Sequence, residues 1–186
     1  QEESNEETQE VQVTVSVSKD GKFLNDKDGN PMAGRSITLT GKNTYNMDDA
    51  LKLAHDLYYP GGAEAGYDYH EDENGIYDGI IYKLWGYNKN DVPNIKSILN
   101  HDTRNLGSAL SRTVQNGDEL HFFIQAQNGK DKFAFFTETE ATYTQGQEIT
   151  LKLRQRNDFG GCFSNCTGAS IYINGVKQEE LLTDSE

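Results

Sequence analysis

From Val11 to Ser18 hydrophobic and polar residues alternate without a break. Val11, Val13, Val15 and Val17 fall on one side of an extended chain, and Gln12, Thr14, Ser16 and Ser18 on the other. That is the pattern of a half-buried strand. "KDG" and then "NDKDGNP" supply turn residues. The second segment has carboxylates but lacks the spacing and distal Glu of a calcium loop, so it is expected to be a turn. "RSITLTG", Arg35 to Gly41, predicts the next strand.

At Met47 the period changes from two to about 3.6. Met47, Ala50, Leu51, Ala54, Leu57 and Tyr58 form an apolar stripe at helical spacing. Asn46 is placed to cap that helix, Asp48 and Asp49 suit its positive end, and "PGG" stops it. His55 falls beside the stripe and is expected to be partly exposed. "YDYHEDENG", Tyr67 to Gly75, is polar and predicts a loop, and its contiguous acidic run predicts no metal site. "DGIIYKLWGY" predicts a strand. A polar insertion follows, with a short helix over Val92 to Leu99, and "NGDELHFFIQAQ" predicts a turn and a strand. Beyond it, Lys132–Glu138, Gln147–Gln155 and Ala169–Lys177 predict three strands between Gly-bearing turns.

The resulting fold class is α+β. It is mostly antiparallel β with one main helix and a C-terminal β-sandwich-like lobe. The expected divisions are an acidic tail over 1–10, an α+β lobe over 11–128 and a β-rich lobe over 129–182.

The chemistry-bearing stretch is "GIYDGIIYKLWGY", which holds the single tryptophan, Trp85. If Gly79 to Tyr87 is one strand, Ile80, Tyr82 and Leu84 share a core face. Ile81, Lys83, Trp85 and Tyr87 share the other, with Trp85 and Tyr87 about 7 Å apart. Two adjacent exposed rings suit the apolar C–H face of a pyranose. Lys83 and Asn88 are placed to bind its hydroxyls, and Tyr67, Tyr69 and Tyr77 to form a second wall. Two readings of Trp85 stay open: buried anchor between lobes, or ligand platform.

Charge narrows the partners. The net charge is −13, and five glutamates lie in the first ten residues. Such a surface repels phosphate backbones and anionic lipid, so neither nucleic acid nor a membrane is expected as a partner. No G-x-S-x-G elbow, His-rich metal motif or phosphate loop occurs, so no catalytic residue, metal or cofactor is expected. Cys162 and Cys166 in "GGCFSNCTG" have poor zinc spacing, and a short disulfide shaping a Gly-rich loop is expected.

Five segments in this order over nearly the whole chain carry a resemblance: "MDDALKLAHDLYYPGG", "YKLWG", "VQNGDELHFFI", "QEITLKL" and "ASIYINGV…LLTD". Together they resemble a repeated module of surface proteins from gut Clostridia-type bacteria, and the first half is similar to the transcobalamin C-terminal-like domain. The chain departs from that pattern in "IKSILN", in its Cys pair and in its acidic loop. Such modules occur in large cell-surface proteins, among them starch-adherence components of amylosomes. The resemblance implies secretion or cell-surface display, no catalysis, and a monomer within a larger multidomain protein. Combined with the aromatic stretch, the expectation is a carbohydrate-binding module for a polysaccharide or oligosaccharide, with an α-glucan such as starch as the best candidate. The alternatives are a structural or adhesive repeat without a small ligand, and a small-molecule binder of the transcobalamin type.

Overall fold

The alternating valines build the centre of the main sheet. A computed structural model of the chain describes residues 9–70, 79–102, 110–126, 132–137, 142–157, 164–173 and 176–183. The chain divides into two units, Gln1–Gly129 and Lys130–Glu186. The first runs β1 (Gln9–Lys19), β2 (Lys22–Phe23), β3 (Arg35–Lys42), β4 (Tyr45–Asn46), α1 (Met47–Tyr58), α2 (Gly62–Gly66), β5 (Asp68–His70), β6 (Ile80–Leu84) and β7 (Tyr87–Asn88). A single 3-10 turn (Lys89–Asp91), β8 (Ile95–Leu99), β9 (Thr113–Val114) and β10 (Glu119–Ile124) complete it.

β1 begins at Gln9, so the last two residues of the expected acidic tail belong to the strand. It pairs antiparallel with β3 along its first half and with β2 at its end, and parallel with β10 on its other side. β8 closes that side, antiparallel to β10. Val11, Val13, Val15 and Val17 are buried with Ile37 and Leu39 of β3 and Leu120, Phe122 and Ile124 of β10. α1 adds Met47, Ala50, Leu51 and Ala54 to this core. Burying a side chain of this size stabilises by roughly 1.5–3 kcal/mol.

The start of α1 is set locally. The Asn46 side chain accepts the Asp49 N–H at 2.9 Å, and the Asp49 carboxylate accepts the Asn46 N–H at 3.2 Å. This reciprocal cap satisfies two donors that the first turn leaves unpaired. Leu57, expected in the stripe, is 42% exposed, because the buried face turns instead through His55, which is wholly buried. The "NDKDGNP" segment is closed by Asp26. Its carboxylate accepts the N–H groups of Asp28 (2.9 Å) and Asn30 (2.8 Å) and the Arg35 guanidinium (3.1 Å). Burial works to raise its pKa, but these donors outweigh it and hold the carboxyl below its usual range.

Three expected secondary-structure elements are overturned in this unit. Val92–Leu99 is not helical: Ile95–Leu99 is an edge strand whose Ile95, Ser97 and Ile98 are buried, pairing residue for residue with β10. The three-residue spacing of Ile95 and Ile98 mimics a helix, but here it buries one isoleucine on each face of a strand. Within "YDYHEDENG", Asp68–His70 is a strand paired to β6 rather than loop. The continuous strand expected from Gly79 to Tyr87 is broken after Leu84.

The described elements of the second unit are all β. β11 (Lys132–Phe136), β12 (Leu153–Asn157) and β13 (Ser164–Asn165) form an antiparallel sheet, and β14 (Ser170–Ile173) and β15 (Val176–Leu182) form a hairpin. The strand expected over Gln147–Gln155 starts only at Leu153. The one expected over Ala169–Lys177 is two strands, with Ile173 opposite Val176. Cys166 donates its N–H to the Leu153 carbonyl at 2.9 Å. No disulfide is present among the described residues, and its expected partner Cys162 lies outside them. The whole is a mostly-β α+β protein with one main helix.

Candidate functional site

The chain reverses at the tryptophan. Trp85 (φ 50°) and Gly86 (φ 79°) both take left-handed backbone, and Leu84 pairs with Tyr87 across them. This is a two-residue hairpin loop of the kind that matches strand twist. Trp85 therefore does not stand beside Tyr87 on one strand face. Left-handed backbone costs a non-glycine residue about 1–2 kcal/mol, so something must hold Trp85 there.

His55 does much of this. Its Nδ1–H donates to the Leu51 carbonyl at 2.8 Å, which leaves the Nε2 lone pair to accept the Trp85 N–H at 3.1 Å. Burial pushes the imidazole down to about 4, so the neutral form that makes both bonds is the one present at pH 7. The Trp85 Nε1–H donates to the Asn25 carbonyl at 2.9 Å. The indole lies 4.7 Å from the His55 ring and 5.3 Å from the Tyr59 ring, centroid to centroid. Tyr59 in turn runs along Gly66 and Gly86: a Cβ on Gly86 would lie 2.2 Å from its hydroxyl oxygen. Trp85 is only 6% exposed and is a core residue, so its ring faces are not offered to a ligand.

The other predicted residues separate into inside and outside. Tyr67 is buried, not exposed, and its hydroxyl donates to the Asp48 carboxylate. Burial first, and that carboxylate second, push its phenol pKa up. Tyr69 packs against the core with its hydroxyl accepting the Leu110 N–H at 3.4 Å. Tyr77 lies outside the described residues. Lys83 is half-buried in β6, with Asp68 and Asn88 as its strand neighbours. Tyr87 remains on the surface, 38% exposed, with the Lys19 Nζ 5.4 Å from its ring centroid. Tyr82, expected in the core, is 40% exposed, with the Lys89 Nζ 5.0 Å from its centroid and the His70 ring edge-on at 5.0 Å. Twist over this short strand buries Ile81 and Leu84 and turns Tyr82 outward.

Beside this hairpin lies a cleft of about 440 Å³. It is formed where β1 and β10 end and β8 begins, and is lined by Lys19, Asp20, Asn90, Asp91, Pro93 and Gln125 among others. Two predicted residues reach it: Tyr87 through Lys19, and Asn88 through its Nδ2–H, which donates to the Asp91 carboxylate at 3.1 Å. Lys19 is ion-paired to Asp20. Gln125 is 3% exposed, and among the described residues its Nε2 has no hydrogen-bond partner. An unpaired buried donor costs about 1–3 kcal/mol, which marks Gln125 as a cleft-lining residue with a hydrogen bond still to make. Gln125 and Tyr82 were not singled out by sequence. "IQAQ" carries no pattern that marks a cleft residue, and Tyr82 has the parity of a core position. A second hollow of about 390 Å³ near β4 and β9 is lined by Gln9, Asn43, Thr44, Gln115 and Asn116, among others, and its ring, Tyr45, is buried.

Among the described residues no three His, Cys, Asp or Glu side chains converge as metal ligands. Among the described residues no helix is long and apolar enough to cross a membrane. Ser18 Oγ lies 3.0 Å from His121 Nε2, but burial pushes that imidazole down to about 4, which makes it a weak base for activating a hydroxyl. Comparison of the chain with protein-family models, with curated proteins and with solved structures finds no match.

Proposed function

We propose that the protein is a non-catalytic, extracellular carbohydrate-binding module, with an α-glucan of the starch type as its ligand. The observation that carries this is the juxtaposition of outward-facing Tyr87 with a polar cleft, joined through Lys19. A tyrosine face takes the apolar face of a pyranose, and adjoining amides and carboxylates take its hydroxyls. Tyr82, exposed on the same hairpin, extends the aromatic surface. The site is thus Tyr82, Tyr87, Asn88 and the cleft, without the Trp85 and Tyr67 faces. The resemblance to surface-protein modules is compatible with secretion and with a place in a larger surface protein, and an extracellular setting would allow a loop-shaping Cys162–Cys166 bridge.

Retention on insoluble starch, cellulose and xylan tests this. The expected result is retention of the wild-type chain on starch and its loss in Tyr87→Ala. No retention on any glycan would overturn it. A second reading, a structural or adhesive repeat with no small ligand, is favoured by the burial of Trp85 and Tyr67. It predicts that removing Tyr82 and Tyr87 changes no binding property.

A further inference from the structure

We propose that the cleft at the ends of β1 and β10 is the hydroxyl-reading half of this site, in which Gln125 supplies the donor while Asp20 and Asp91 restrict the ligand to neutral, polyhydroxylated rings. The inference rests on the carbohydrate reading and adds to it a specificity-determining residue and a class of ligand. The groups facing the cleft differ in what they need. Gln125 lines the cleft, and among the described residues its buried amide nitrogen has no partner. That donor requires an acceptor. Asp20, paired to Lys19, and Asp91, which accepts from Asn88, present carboxylates with further lone pairs that can accept from a ligand. A hydroxyl meets both needs at once, since it accepts through a lone pair and donates through its proton. Neighbouring hydroxyls on a sugar ring repeat that pairing along one edge. Val92 and Pro93 give the same cleft an apolar patch for ring C–H groups.

Charge argues against an anionic ligand. Among the described residues the single ammonium lining the cleft, Lys19, is already paired to Asp20, so Asp91 adds a negative charge that no lining ammonium balances. Uronates, sulfated sugars and phosphates would meet like charge at these carboxylates, which disfavours them relative to neutral sugars. The face of a neutral sugar would rest on Tyr87 while its edge enters the cleft, and Lys19 touches both.

The test is calorimetric titration of the full chain with maltoheptaose, cellohexaose and oligogalacturonate, using the wild type, Gln125→Met, Gln125→Glu and Tyr87→Ala. The expected result is saturable binding of a neutral oligosaccharide and none of oligogalacturonate. Gln125→Met, which keeps volume but removes the donor, is expected to weaken the neutral ligand about tenfold or more. Gln125→Glu is expected to weaken it at least as much. If neither variant folds, Asn90→Ala and Asp91→Ala stand in, with the same loss expected. A wild type that binds neutral sugar while all cleft variants bind it equally well overturns the role of the cleft and leaves the carbohydrate reading standing. Equal binding of oligogalacturonate overturns the neutral-ligand restriction. A wild type that binds no glycan overturns both.

Discussion

Two groups of aromatic residues, close together in sequence, end up in opposite environments. Tyr59, Tyr67 and Trp85 surround the buried imidazole of His55, while Tyr82 and Tyr87 of the same hairpin face outward beside a polar cleft. Ring size and hydrophobicity do not separate the groups. The buried tyrosine and tryptophan each place a polar atom against a partner inside: Tyr67 on Asp48, and Trp85 on Asn25 and His55. The exposed tyrosines are approached instead by flexible ammonium groups from Lys19 and Lys89. The difference teaches that an aromatic residue becomes core here when its polar end is given a fixed partner, and surface when it is not.

The largest effect that would break this contrast is removal of the indole. Trp85→Ala is expected to destabilise the fold by about 3–5 kcal/mol, read from chemical denaturation. A loss below about 1 kcal/mol would mean the residue is not a core anchor. Acid comes next. Because His55 titrates near 4 in the folded protein, below the ordinary 6.5, its contribution is complete above pH 6.5 and is lost as the pH falls toward 4. The size of that loss is about 3 kcal/mol. A stability profile flat from pH 7 to 4.5, or one unchanged in His55→Leu, would contradict the neutral hydrogen-bonded imidazole. Gly86→Ala is expected to cost about 1–3 kcal/mol, because the new methyl meets Tyr59 and the backbone there is left-handed. Smallest in stability are Tyr82→Ala and Tyr87→Ala, each within roughly 0.5 kcal/mol of wild type in a thermal melt. Their expected effect is on glycan retention alone, and a large drop in melting temperature would show that they too are packing residues.

Much of the scaffold is legible in the sequence because its signals are local. The valine alternation of β1, the period and cap of α1, and the "NGD" turn before β10 each depend on residues within one element. What escapes is decided at a distance. β8 has a helical spacing of isoleucines, and only its pairing with β10 makes it a strand buried on both faces. The left-handed turn at Trp85 is held by a histidine thirty residues earlier, so the alternation through Lys83, Trp85 and Tyr87 reads as one face when it is two. β14 and β15 replace the single strand expected over Ala169–Lys177, although the sequence carries the turn signal Asn174-Gly175 inside that run. Of the candidate site, Tyr87 and Asn88 were legible from their polar neighbours. Gln125 was not, because it reaches the cleft only through the parallel pairing of β1 and β10, whose partners lie about a hundred residues apart.

The claim that the hairpin has a core side and a ligand side is tested most directly by acrylamide quenching of the single tryptophan, with and without saturating maltoheptaose. The account predicts a blue-shifted emission that is poorly quenched in both cases, with the sugar bound elsewhere on the hairpin. A red, readily quenched emission that the sugar protects would place Trp85 on the ligand surface and contradict it.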